Sequence, residues 1–216
     1  MLRRLFIIVF AASLQLLTAS AEEESRAARA AAVVHEMNLA RENPQAYAAN
    51  LEALRATFDG ASITLPNGVR IRTHEGTRAV DEAIRFLRHV QPMGPLAMSS
   101  GMSRAALDHC AEQAGGGFGH GDPAARLARH GSCVGGWAEN ISYGKSSPRD
   151  VVLALIVDDG QPARKHRKNI FNPIYSCAGA AFGSHARFGA MCTIEFAGGY
   201  AERGGSADVA LIAKNQ

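Results

Sequence analysis

A change of period along the chain constrains the fold most. Over the first two thirds, apolar residues recur at helical spacing: Val33, Met37 and Ala40, then Tyr47, Leu51, Leu54 and Phe58, then Val80, Ile84 and Leu87, then Met102, Ala106 and Cys110. Start and stop signals frame these stripes. Asn43-Pro44 and Asp122-Pro123 read as N-caps with Pro at the first helical position, Pro92 and Gly131 as stops, and Ser147-Pro148-Arg149-Asp150 as a capping box ahead of the apolar run Val151 to Val157. In the last third the period falls to two. Phe188, Ala190, Cys192, Ile194 and Phe196 alternate with Gly189, Met191, Thr193 and Glu195, which predicts a half-buried strand. Tyr175 to Gly183 reads as its hairpin partner, turning across Gly183-Ser184-His185-Ala186, and the turn-rich stretch 59–76 as a small hairpin. Helices first and antiparallel strands last predict an α+β or layered α/β/α domain and exclude a doubly wound sheet.

The N-terminus places the chain outside the cytoplasm. Arg3 and Arg4, the apolar run Leu5 to Leu17 and the small residues Ala19-Ser20-Ala21 have the pattern of a secretory signal over 1–21, too short for a membrane span; an uncleaved anchor is the alternative. No other stretch is apolar enough to cross a bilayer, so the mature chain is expected without a transmembrane segment. The remaining length suits one domain with a sizeable core. Removing Arg3 and Arg4 from the 23 basic residues leaves 21 against 20 acids, a near-neutral balance that offers no grip on nucleic acid. The basic run 164–168 therefore reads as a solvated face.

Four cysteines, Cys110, Cys133, Cys177 and Cys192, fit an oxidising compartment and two disulfides, with no Cys-x-x-Cys pair for a zinc knuckle or redox site. A hairpin centred on Ser184-His185 would set Cys177 opposite Cys192. That predicts a Cys177–Cys192 bridge and, by elimination, Cys110–Cys133.

Several familiar chemistries are missing. The chain has no His-Glu-x-x-His, no Gly-x-Ser-x-Gly and no Walker loop, and the glycines at 115–117 follow a helix where a dinucleotide site needs a strand. What remains is a scattered set beside glycines: His120, Glu139, Asp158, Asp159 and His166. Two imidazoles with carboxylates are ligand types of a borderline divalent ion. Trp137 reads as packing beneath Glu139, Asn140 as a bonder of backbone carbonyls, and His35, His74, His89, His109, His130 and His185 as background.

Four segments in order, "LARENPQAYA", "PLAMSSGMSRAALDHCAEQ", "GHGDPAARLARHG…GGWAENISYG" and "LIVDDGQPARKHRKNIFNP", resemble the CAP superfamily of cysteine-rich secretory, antigen 5 and pathogenesis-related proteins, and its microbial branch in particular. The resemblance runs from about 33 to 200. It implies a three-layer α-β-α sandwich with a central antiparallel sheet, a lead-in over 22–32 and a tail over 201–216. Carried across residue by residue, the family's cleft tetrad falls on His120, Glu139, Asp159 and His166. Asp159 stands where the family usually has Glu, with Asp158 as the substitute, and Arg167 replaces an aromatic. The basic side chains around His166 are then expected to form an outward rim. Zinc or another divalent cation would sit on His120 and His166.

Three functions follow from this resemblance. The first is a secreted (extracellular or periplasmic) binding protein engaging a lipid or protein ligand. The second is a metal-dependent extracellular hydrolase with Glu139 as general base, and the third a non-catalytic structural domain. The family's lack of one agreed activity favours binding.

Overall fold

The computed structural model describes residues 24–64 and 68–203, so the expected signal at 1–21 and most of the tail at 201–216 lie outside the described residues. Helix α1 covers residues 24–42 without a break at 32, and the expected lead-in is thus already helical from 24. Asn43 then accepts from the Ala46 N–H and caps α2 (Pro44–Ala56). The turn-rich stretch forms a three-stranded antiparallel meander, β1 (Phe58–Asp59), β2 (Ser62–Thr64) and β3 (Arg70–Arg72), one strand more than the hairpin expected. There follow α3 (Thr77–His89), β4 (Ala97–Met98), α4 (Ser100–Gln113), α5 (Pro123–His130), β5 (Gly131–Tyr143), α6 (Pro148–Val157), α7 (Lys165–Ile170), β6 (Cys177–His185) and β7 (Gly189–Glu202). Ser99, Asp122 and Ser147 cap α4, α5 and α6 through side-chain oxygens, the last two as their sequence signals require.

The central sheet runs β4-β6-β7-β5 and is antiparallel except for the two-residue β4, which pairs parallel to β6. Helices cover both faces, giving the α-β-α layering. Alternate sheet residues Ala178, Ala180, Cys192, Ile194 and Phe196 join the main core with α1, α2, α3 and α6. The opposite face, under α4 and α5, buries two smaller clusters, one around Met102, Leu127, Cys177 and Ala197 and one around Ala106, Cys110, Ile141 and Met191. Strand β7 is therefore buried on both faces where the alternation alone implied one.

Register decides the fate of the cysteines. The β6–β7 hairpin pairs His185 with Gly189, so Cys177 lies opposite Ala197 and Cys192 opposite Phe182. The turn sits further along the chain than Ser184-His185, and the register slips by five. An odd slip sends the two thiols to opposite faces of the sheet. Cys110 lies on α4 facing Ala181 and Thr193, while Cys133 lies on β5 opposite Tyr200. All four cysteines are free, which overturns the expected Cys177–Cys192 and Cys110–Cys133 bridges. Burial pushes the Cys177 thiol up to about 11, toward the unreactive thiol form.

Glycines on β6 let α4 approach. A Cβ at Gly179 would run into the Ser103 nitrogen and the Met102 backbone, and one at Gly183 would lie 2.6 Å from the Cys110 Cβ. Gly179→Ala must push α4 off the sheet and should cost on the order of 1–3 kcal/mol in chemical denaturation. Protein denatured without reductant should titrate four thiols; a smaller number would contradict the register.

Candidate functional site

Strand β5 organises the site, although its glycines and polar residues read as cleft loops in sequence. Neighbouring residues of a strand face opposite ways, and here Glu139 points toward α4 and α5 while Asn140 points toward α7. Each residue serves one of the two expected histidines.

On the first side, the Glu139 carboxylate is buried, 1% exposed, and fully engaged. His120 Nδ1 donates to its Oε1 at 2.7 Å, and Arg126 Nη2 donates to its Oε2 at 2.7 Å. Arg126, reaching in from α5, also donates to the His120 carbonyl at 2.7 Å and to Glu112 at 3.0 Å. His109 Nε2 comes within 4.0 Å of Glu139 Oε1 and bonds the Gly119 carbonyl at 3.0 Å. The His120 side chain is 54% exposed. Bonded through Nδ1 to a carboxylate, its ring turns Nε2 outward. The loop before it is fixed from β5, because the Tyr143 hydroxyl accepts from Gly119 N at 3.1 Å and donates to Gln113 at 2.7 Å. Phe118, 73% exposed, stacks on Tyr143 with ring centroids 4.9 Å apart.

On the second side, the Asp-Asp-Gly turn divides its acids. Asp158, the left-handed C-cap of α6, is buried and accepts from His166 Nδ1 at 2.6 Å and from the His166 backbone N–H at 3.0 Å. Asp159 turns the other way and accepts from the backbone N–H groups of His74 and Glu75, both at 2.8 Å. The carboxylate on the second imidazole is therefore Asp158, one residue before Asp159. Asn140 ties this side to the strand by donating to the His166 carbonyl at 3.0 Å and accepting from Asn169 at 2.8 Å. That is the backbone-carbonyl role expected of Asn140.

The basic run is split too. Lys165 and Lys168 are exposed, but Arg164 and Arg167 are buried, so the outward rim does not form. Arg164 grips both oxygens of Glu75, at 2.6 and 2.8 Å, and reaches Glu82 at 2.7 Å. Its hydrogen bonds hold the Glu75 carboxyl at about 2. Arg167 donates to the Ile156 carbonyl at 2.5 Å and to Glu82 at 3.1 Å, which anchors α7 to the end of α6. Trp137 is 42% exposed on β5 and does not pack beneath Glu139.

The residues expected to hold a divalent cation are each engaged with a protein partner: His120 with Glu139 and His166 with Asp158. Among the described residues no group of three or more His, Cys, Asp or Glu could hold a metal ion. Each imidazole thus has its own carboxylate. The Glu139 oxygens already receive a guanidinium and an imidazole, and the Arg126 charge 2.7 Å away opposes a cation there. Sequence reading passed over Arg126 and Glu195 and set His109 aside as background. Glu195, a lone acid in an otherwise apolar alternating strand, was the most readable of these signals. Arg126→Met leaves Glu139 and Glu112 without their buried cation, and unfolding free energy should fall by about 3–5 kcal/mol, measured by denaturant titration.

No protein of curated function matches the chain. Among solved structures, a cysteine-rich secretory protein from Staphylococcus aureus subsp. aureus Mu50 aligns at 16% identity and a TM-score of 0.40, over 54% of this chain and 35% of its own. The chain thus spans about a third of that protein's length. An outer surface protein from Borrelia burgdorferi aligns at 14% identity and a TM-score of 0.39, over 51% of this chain and 80% of its own. The model of the cysteine-rich secretory protein (CAP) family matches residues 71–196, a span that takes in β5, both imidazole–carboxylate pairs, β6 and the first half of β7. With more than half of the chain under that match, the protein belongs to the CAP family.

Proposed function

We propose that this is an exported CAP-domain binding protein that engages a lipid or protein ligand beside β5, with His120 as its principal polar contact. One observation carries the reading: a half-exposed imidazole, fixed from behind by a buried carboxylate, stands next to an exposed aromatic ring. His120 and Phe118 are two residues apart, and Phe118 keeps most of its surface in solvent while stacked on Tyr143. A rigid aromatic anchor beside an oriented hydrogen-bonding group suits ligand recognition. Among the described residues neither His120 nor His166 bonds a serine, threonine or cysteine side chain, so no nucleophile is paired with either ring. Export rests on the predicted signal at 1–21, and the family match is in keeping with it. No helix among the described residues is long and apolar enough to cross a membrane.

Hydrolysis is the second reading, favoured by Glu139 behind His120, since a carboxylate-oriented imidazole is the geometry of a general base.

Photo-crosslinking from p-benzoylphenylalanine introduced at position 118 should capture a ligand from the secreted fraction, with mass analysis separating lipid from protein. Capture should fall at least tenfold in His120→Ala and be absent from a probe at exposed position 39 on α1. Equal capture at both positions would remove the binding reading. Purified protein should not turn over peptides or acyl esters; turnover with a bell-shaped pH profile, abolished in Glu139→Gln, would replace binding by hydrolysis.

A further inference from the structure

Glu195 is an acid that the His120–Glu139 pair does not account for. It lies on β7 directly across from Glu139 on β5 and from Gly179 on β6, and it is wholly buried. No donor reaches either of its oxygens among the described residues. The residue paired with it across the strands is Glu139, whose carboxylate acts on it.

Two carboxylates are both acceptors, and a hydrogen bond between them requires that one carry a proton. Both Glu139 oxygens already accept, one from His120 and one from Arg126. The proton is left to Glu195. The cation that faces Glu195 is Arg126, whose charge opposes the upward shift without overturning it and whose Nε has no hydrogen-bond partner. Strand β6 presents Gly179 and Ala181, while β7 adds Thr193 and Tyr200 and β5 adds Cys133. Helix α4 contributes His109, Cys110 and Glu112, of which His109 bonds the Gly119 carbonyl. Arg126, from α5, spends its terminal nitrogens on Glu139, Glu112 and the His120 carbonyl. Burial first, and then the Glu139 charge, hold the Glu195 carboxyl far above the usual carboxylate range.

We propose that Glu195 is a buried carboxylic acid that donates its proton to the Glu139 carboxylate and so positions Glu139 for its bond to His120. Glu195 is a positioning residue, acting on the site only through Glu139. Its functional consequence rests on the reading of His120 as the ligand contact, but its protonation is tested without any ligand.

The sign of the pH effect follows from linkage. The folded state keeps the Glu195 proton, whereas the unfolded chain releases it above about pH 4.3. Folding stability tied to this group is therefore fully present below that pH and is lost as pH rises toward the folded-state value. Glu195→Gln retains a donor toward Glu139 and has no proton to lose. The ratio of its folding equilibrium constant to that of wild type should grow about tenfold per pH unit between pH 5 and pH 8. A ratio that does not change with pH overturns the proposal. Infrared spectra of the wild-type protein at pH 7 should show the carbonyl stretch of a protonated carboxylic acid, and Glu195→Gln should lack it. Absence of the band from wild type, or its persistence in the variant, also overturns the assignment. The wild-type spectrum decides the matter even if the variant does not fold. Crosslinking lost in His120→Ala reports on the binding reading alone, so the two can fail separately.

Discussion

The buried ion pair between Arg126 and Glu139 is the interaction on which the rest of this site depends. Taking a carboxylate out of water costs several kcal/mol unless its oxygens are paired. Here α5 supplies a guanidinium to one oxygen and the loop ahead of it supplies an imidazole to the other. The same arginine holds the His120 carbonyl, so loop, helix and strand are fixed by one side chain. Across the sheet, Gly179, Glu195 and Glu139 form a row in register, and this row separates the two apolar clusters beneath α4 and α5. The face that carries the site gives up part of its hydrophobic packing to hold polar groups, while the other face keeps an unbroken core.

The second imidazole is held by different means. Asp158 and Arg164 both adopt left-handed backbone at either end of a tight turn, and Gly160 stands between them at φ 76. Arg164 closes that turn by bonding the Asp158 carbonyl at 2.8 Å while gripping Glu75 and Glu82 on the α3 side. Side-chain charge, not apolar packing, thus sets the distance from the end of α6 to the start of α7. Asn140 completes the link, so that two consecutive residues of one strand reach both histidines.

Local signals were legible in the sequence where one residue acts on its neighbours. The caps Asn43, Asp122 and Ser147, the helical stripes apart from Phe58, which lies in β1, and the strand period of β7 read correctly, as did the layered class. Non-local facts were harder. The register of β6 against β7 depends on a turn centred near Arg187, and Ser184-His185 looked equally suited to it. That misplacement alone created the expected disulfides. Strand β5 was hidden because Gly135 and Gly136 interrupt any period and Asn140 and Ser142 are polar although buried. The family resemblance put Asp159 in the tetrad with Asp158 as its substitute; Asp158 is the one that bonds His166, because a left-handed cap redirects side chains in a way spacing does not show. Arg164 and Arg167 looked like solvated charges because their acidic partners lie some eighty residues away in the chain.

Strand β5 is also an edge of the central sheet, thirteen residues long. A flat edge of that length is a template on which a second molecule can extend the sheet. The register break between Val134 and Trp137, with Gly135 at φ 75, bends this edge midway. The opposite edge, β4, has only two residues to offer. The irregularity that obscured β5 in the sequence is therefore also a feature that disfavours edge-to-edge pairing of the folded protein.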